Sequence, residues 1–274
     1  MIDSQCVEFL QWALPRLQLR WPGFRKVRKQ VCKRVTRRIE ELGLADVGGY
    51  RTYLEATPEE WATLDTFCRI PISRFYRDRG VFDLLRDEVL PELAVVIRQE
   101  GGHELRCWSA GCASGEEVYT LSAIWQLSAG LAHPDITWRV LATDNEPEML
   151  ARARRGCYSA SSLKELPREW LPAVFTPENG LLCVKPAFRS DIDFTLQDIR
   201  TEMPEGTFHL VLCRHMAFTY FDEPLQREVL QRILAKLVRG GVLVTGKQEP
   251  LPAQPPELEE CQPRMGVYRK RSAQ

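Results

Sequence analysis

Gly111 and Gly115 bracket a turn of small residues, Cys112-Ala113-Ser114, and the acids Glu116 and Glu117 follow at once. Glycine at such places lets the backbone turn sharply and lets a ligand press against it. Ser114 reads as the N-cap of a following helix, whose dipole favours the two acids in its first turn. Further along, Asp144 closes one apolar run, Gln197-Asp198 follows a second, and Arg214-His215 and Gly246-Lys247 follow two more. The turn is G-x-x-x-G, with neither the Gly-Lys-Ser/Thr of a phosphate loop nor the full dinucleotide fingerprint.

These residue types suit one kind of ligand. An acid such as Asp144 matches the two hydroxyls of a ribose, and a glycine turn admits the amino-acid tail of a cofactor. Together they point to an adenosyl cofactor without phosphates, S-adenosylmethionine. Two plainer readings stand beside this one: the turn as a simple strand-to-helix connection, and Asp144 as a capping or turn acid.

The elements that must position these residues alternate from Leu105 onward. Leu105–Ala110 reads as a short buried strand, and Tyr119, Leu121, Ile124 and Trp125 form an apolar face at helical spacing. Thr137–Asp144 is a second strand, followed by a helix over 147–155 that Gly156 ends, and 161–170 is a short helical piece. Leu182–Val184 and Ile192–Phe194 read as a small antiparallel insertion leading into a core strand. Phe208–Cys213 is a fourth strand, 224–237 a helix, Val242–Gly246 a further strand and Gly266–Arg269 a last one, while 250–263 is expected to lack regular structure. Strands alternating with helices predict an α/β fold with a parallel sheet, and ligands in such folds gather outside the carboxyl ends of the strands.

The first part of the chain has a different texture. From Arg16 to Arg38 there are many bases and no acid, and Val27, Val31, Val35 and Ile39 recur every fourth residue. That pattern predicts an amphipathic helix with a basic outer face, ended near Gly43. The basic face reads either as a solvated surface or as a docking surface for an acidic partner. Further helices are expected at 50–55, from Thr57 (with Thr57 as N-cap, Pro58 at the first position and Glu60 at the third), and at 81–89. The expected organisation is a helical domain over 1–68, a linker over 69–80 and an α/β domain over 81–274, with the small β insertion at about 171–192.

Composition narrows the class. The 37 basic and 37 acidic residues cancel, so bulk charge suggests no nucleic-acid partner. No apolar run approaches the roughly 20 residues of a membrane span, so no membrane insertion is expected. The N-terminus shows no charged region followed by an apolar core, so no secretion signal is expected. Nine cysteines, an odd number without a C-x-x-C pair, argue against a disulfide framework and a zinc cluster. Cys32, Cys107 and Cys213 read as buried reduced thiols of a cytoplasmic protein, and no metal is expected.

Several segments together resemble the CheR-type chemotaxis receptor methyltransferases. They are Trp108–Glu117, Ala142-Thr143-Asp144, Leu150-Ala151-Arg152-Ala153, Gly156-Cys157-Tyr158, Phe208–Arg214 and Tyr220-Phe221-Asp222. Arg37-Arg38 to Leu44 and Tyr50 to Leu54 resemble the same family's small helical domain with its basic helix. The resemblance implies a Rossmann-like class I methyltransferase domain behind a small all-α domain, using S-adenosylmethionine to methylate glutamate side chains and yielding S-adenosylhomocysteine. It places Glu117, Asp144, Asp198, Ile199, His215 and Met216 at cofactor-contacting positions, with Asp144 on the ribose and Asp198 and Ile199 near the adenine. Ser73 and Arg77 take the linker positions that close over the methionine end, and Tyr220 matches an aromatic residue near the transferred methyl. The implied partner is a set of chemoreceptor cytoplasmic helices docking on the basic helix, at about 24–39.

The implied reaction needs little acid–base equipment. A glutamate side chain, with a pKa of about 4.3, is already ionised at neutral pH and needs no general base to attack a sulfonium methyl in line. The protein must supply position, and Arg77 is the candidate to hold the incoming carboxylate by a charge-assisted contact, with a salt bridge to Asp78 as its plainer reading. The chain departs from the family pattern in four places. Ile70-Pro71-Ile72-Ser73 stands for Thr-Asn-x-Thr, His215 for Asn, Lys247-Gln248-Glu249 for His-Ser-Glu, and the insertion before Ile192 is short. Two alternatives therefore remain at the level of sequence: the same fold and cofactor with another protein or small-molecule acceptor, and a non-catalytic binding module.

Overall fold

The computed structural model describes residues 2–252 and 255–271 and divides the chain into two compact units. The smaller runs to Ile70 and also takes in Thr219–Gln226; the larger comprises Pro71–Phe218 and the chain from Arg227.

In the smaller unit, helices Asp3–Ala13, Arg28–Glu41, Val47–Ala56 and Glu60–Cys68 pack around Phe9, Leu10, Val31, Val35, Tyr50, Leu54 and Leu64. The every-fourth-residue pattern puts Val31, Val35 and Ile39 inward, as a 3.6-residue period requires. The Thr57–Glu60 stretch is not the expected capping box. The helix starts at Glu60 through a tight turn, Glu60 N to Thr57 O at 3.0 Å. The Glu60 carboxylate turns inward, where Arg38 donates two hydrogen bonds at 2.9 and 2.8 Å and the Tyr50 hydroxyl a third at 2.9 Å. A buried carboxylate survives only when paired and hydrogen-bonded in this way. Segment 219–226 joins this unit through backbone bonds from Arg20 N to Tyr220 O and from Asp222 N to Gln18 O, both 2.8 Å.

The larger unit is built on ten strands: β1 Glu104–Ala110, β2 Thr137–Asp144, β3 Cys157–Tyr158, β4 Phe175–Glu178, β5 Leu181–Val184, β6 Ile192–Leu196, β7 Phe208–Leu212, β8 Leu237–Val244, β9 Leu258–Glu260 and β10 Val267–Lys270. Seven form one sheet in the order β6-β2-β1-β7-β8-β10-β9, and β3-β5-β4 form a small antiparallel sheet. The strands from β6 to β8 are parallel, and β10 runs antiparallel to β8. The chain moves outward from β1 to β2 and β6, then returns to β7 on the other side. The order therefore reverses between β1 and β7, which opens a crevice at their carboxyl ends. Register aligns those ends: Ala110 pairs with Thr143, Asp144 with Leu196, and Ser109 with Leu212.

Four further expectations change. The helix expected to end at 89 continues to Gln99, through a wide π turn at Leu85–Val89. Pro91 has no N–H to close an ordinary turn there, and the wide turn absorbs the loss. Within 250–263, Leu258–Glu260 forms an edge strand on β10, because backbone pairing needs no apolar pattern and two glutamates suit an edge. Gly115, at φ 90°, caps helix Glu116–Leu127, while the Ser114 hydroxyl donates to the Glu116 carboxylate instead. Four cysteines are paired, Cys6 with Cys32 and Cys157 with Cys183, so Cys32 is not a reduced thiol. Both pairs join cysteines 26 residues apart that only the folded chain brings together. Cys107 and Cys213 are free and buried, and burial pushes their thiols well up from the usual range.

Candidate active site

The glycine turn is tied to the end of β2 by two backbone bonds, Gly111 N and Cys112 N to Thr143 O at 2.8 and 3.0 Å. Gly111 has φ 78°, and a Cβ there would lie 3.0 Å from Met216 Cε, so only glycine allows this approach. From the other side, Tyr158 on β3 donates its hydroxyl to Ser114 O at 2.6 Å. Asp144 braces the turn directly: Oδ2 accepts from Ala113 N at 2.8 Å, and Oδ1 from Glu146 N at 2.9 Å. The turn-acid reading of Asp144 is thus part of its role.

Glu117 begins a line of charge. Its Oε1 accepts from Ser109 Oγ on β1 at 2.9 Å, and its Oε2 from Arg214 Nη1 at 2.9 Å. Arg214, with only 2% of its side chain exposed, directs Nη2 to Asp78 Oδ2 at 2.9 Å and to Arg77 O at 2.8 Å. His215 Nε2 meets the same Asp78 oxygen at 2.8 Å. The hydrogen bond from His215 and the charges of Arg214 and Arg77 outweigh burial, and they hold the Asp78 carboxyl at about 2. The His215 backbone N–H donates to Glu249 Oε2 at 2.7 Å. Strained backbone concentrates here: Tyr76, Asp78, Ala113 and His215 all have positive φ. Non-glycine residues keep such angles only where their surroundings over-determine them.

Asp198 follows β6. Burial alone would raise its carboxyl, but Arg200, through its guanidinium and its backbone N–H, and Asn145 hold it below the usual range. Ile199 beside it is buried. Gln197 Oε1 is buried without a protein partner. Ser73 is half-buried in the irregular segment before Phe75, and Arg77 donates to Ile72 O at 2.7 Å. Burial lowers the Arg77 guanidinium from its usual value. The expected Asp78 partner of Arg77 is engaged by Arg214 and His215. Tyr220 belongs to the smaller unit, where its ring lies 5.0 Å from that of Phe24. Sequence reasoning names Asp78, Arg214, Glu249, Gln197 and Tyr158 without giving any of them a role in the site. Each adjoins or lies in a quoted motif, but spacing alone does not show which way its side chain turns.

The donor set fits S-adenosylmethionine. Glu117, Asp144, Asp198 and the orphaned Gln197 Oε1 make the strand ends rich in acceptors, and no lysine or arginine lies in the Gly111–Gly115 turn. A turn without a cation disfavours a pyrophosphate, and acids beside it suit the hydroxyls of an adenosyl ligand.

The family signature decides the class. The sequence model described as the CheR methyltransferase SAM-binding domain matches residues 72–267. This chain belongs to the CheR methyltransferase family. Among curated CheR relatives, the chemotaxis protein methyltransferase of Listeria monocytogenes is 36% identical over 180 residues, covering 66% of this chain and 65% of that protein. The Escherichia coli chemotaxis protein methyltransferase is 31% identical over 230 residues, covering 81% and 76%. The probable chemotaxis protein methyltransferase of Rhizobium etli is 32% identical over 229, covering 80% and 83%. The chain thus spans about two thirds of the length of the Listeria relative. Among solved structures, the plantazolicin methyltransferase BpumL in complex with SAH matches at a TM-score of 0.34 and 12% identity, over 62% of this chain and 49% of that one. As in other CheR domains, the cofactor is S-adenosylmethionine; when bound it supplies a sulfonium methyl as electrophile. Cys157, Cys183 and Glu178 bring possible metal ligands within 4.8 Å of one another, but the two cysteines are joined to each other.

Proposed function

We propose that this protein transfers the methyl group of S-adenosylmethionine to glutamate side chains of a protein, as a chemoreceptor-type O-methyltransferase. The observation that carries the reading is the set of acids Asp144, at the end of β2, Asp198, just past the aligned end of β6, and Glu117, in the first turn of the helix after β1, within a chain of the CheR family. In this reading Asp144 takes the ribose, Ile199 and Asp198 border the adenine, Glu117, Ser73, His215 and Met216 meet the methionine end, and Arg77 holds the acceptor carboxylate. The acceptor is already ionised, so the work of the site is placement rather than proton transfer.

The basic helix supports a docking role for an acidic protein surface, through fewer residues than its sequence suggests. Arg38 is committed to Glu60, Arg34 to the carbonyls of Phe67 and Arg69, and Arg28 to Asp3. Arg25, Lys26, Lys29 and Lys33 face solvent. Among the described residues no helix is long and apolar enough to cross a membrane, and the proposed setting is the cytoplasm.

The test is incubation with labelled S-adenosylmethionine and receptor cytoplasmic helices. A methyl ester that alkali releases as methanol supports the proposal, and its absence sinks it. Pro71, which removes an amide side chain and a backbone donor from the linker, favours one second reading: the same cofactor with a different acceptor. An alkali-stable product from a lysate would select that reading.

A further inference from the structure

Two adjacent linker residues, Arg77 and Asp78, bond to the residues that follow β7. Asp78 accepts from Arg214 Nη2 and pairs with His215 Nε2, and the same Arg214 nitrogen holds the carbonyl of Arg77. Two side chains from the end of β7 therefore make three contacts with adjacent linker groups, the Arg77 carbonyl and the Asp78 carboxylate. The imidazole has little room to move. A Cβ on Gly246 would lie 2.7 Å from both Nδ1 and Cε1 of His215, and Glu249 accepts from the backbone N–H of both His215 and Gly246. Arg214 is fixed in turn by Glu117 and lies over the Phe82 ring at 5.0 Å. Tyr76, Asp78 and His215 all have positive φ, and that backbone would relax if the clamp were cut.

We propose that Asp78 is a positioning residue: by clamping the Arg77 peptide to Arg214 and His215, it sets where the Arg77 guanidinium stands to receive the acceptor. The charged groups around the clamp are Arg77, Arg214, Glu117, His215 and Glu249. The inference rests on the reading of Arg77 above, and its test separates the two.

Three measurements on the full chain compare wild type with Asp78→Asn, which keeps the shape and removes the charge, and with His215→Ala and His215→Gln. Amide hydrogen exchange over 72–79 reads the clamp itself. It should speed up about tenfold or more in Asp78→Asn while β1 and β2 stay protected, as expected for local opening. Methyl transfer at varied acceptor concentration reads the consequence. In Asp78→Asn, kcat/KM should fall about tenfold or more while S-adenosylhomocysteine affinity by calorimetry stays within about threefold, since misplacement costs rate before binding. In the exchange readout, which does not depend on the cofactor, His215→Gln, which keeps a donor near Nε2, should recover most of the protection over 72–79 that His215→Ala loses. Unchanged exchange at 72–79 overturns the clamp, and so does an activity loss matched by an equal loss of affinity. If Asp78→Asn shows the exchange difference but the wild type esterifies no glutamate, the functional reading is overturned and the clamp stays in place.

Discussion

Asp144 holds the amides of Ala113 and Glu146 with its carboxylate, and the proposed function puts a ribose on the same group. Its removal should loosen the glycine turn as well as the ligand. Asp144→Ala is expected to weaken S-adenosylhomocysteine binding about tenfold or more, roughly 1–3 kcal/mol for a lost charged hydrogen-bond partner, as measured by calorimetry. Asp78 has a pH signature instead. Its carboxyl sits at about 2, below the ordinary 3.8, so its stabilising effect is fully present above pH 4 and is lost as pH falls through the folded value. Melting curves at successive pH values should show wild type losing an advantage over Asp78→Asn between about pH 4 and 2. A difference that persists unchanged at pH 2 would remove Asp78 from the ion-pair line.

At the scale of elements, the glycine turn and helix Glu116–Leu127 form one unit. Gly115 has φ 90°, and a Cβ would lie 3.0 Å from Ala153 Cβ and 3.2 Å from the Tyr158 hydroxyl. Gly115→Ala is expected to cost about 1–3 kcal/mol in denaturant unfolding, from left-handed backbone and crowding together. A cost under about 0.5 kcal/mol would mean that the turn tolerates a side chain. Motif spacing shows the turn, but not that Tyr158 braces it from β3. Nor does periodicity show the wide turn before Pro91 or the edge strand Leu258–Glu260, since both depend on backbone hydrogen bonds rather than on an apolar pattern.

Across the whole molecule, the chain's nine cysteines divide into two disulfides and five free thiols, four of them buried. Alkylation of the denatured, unreduced protein should therefore label five cysteines, and prior reduction should expose all nine. Nine labelled without reduction would mean that the pairs stay open as thiols. An odd count argues against a framework, and cysteines 26 apart in sequence carry no sign of being neighbours. The segregation of bases into one stretch was legible in the sequence. Their division into structural and solvent-facing groups was not, because Arg34 and Arg38 take their partners from a helix some 22 to 35 residues away.

By itself the sequence determined the alternation of strands and helices, the glycine turn, the acids closing β2 and β6, and the family. All of these are carried by local spacing and residue type. Only the tertiary structure decided that Glu117, Arg214, Asp78 and His215 form one line of charge from β1 to the linker. Their partners lie up to 137 positions apart in the sequence, from Asp78 to His215. A pairing of that kind is chosen by burial. Arg214, almost sealed from water, must find its carboxylates wherever the fold brings them.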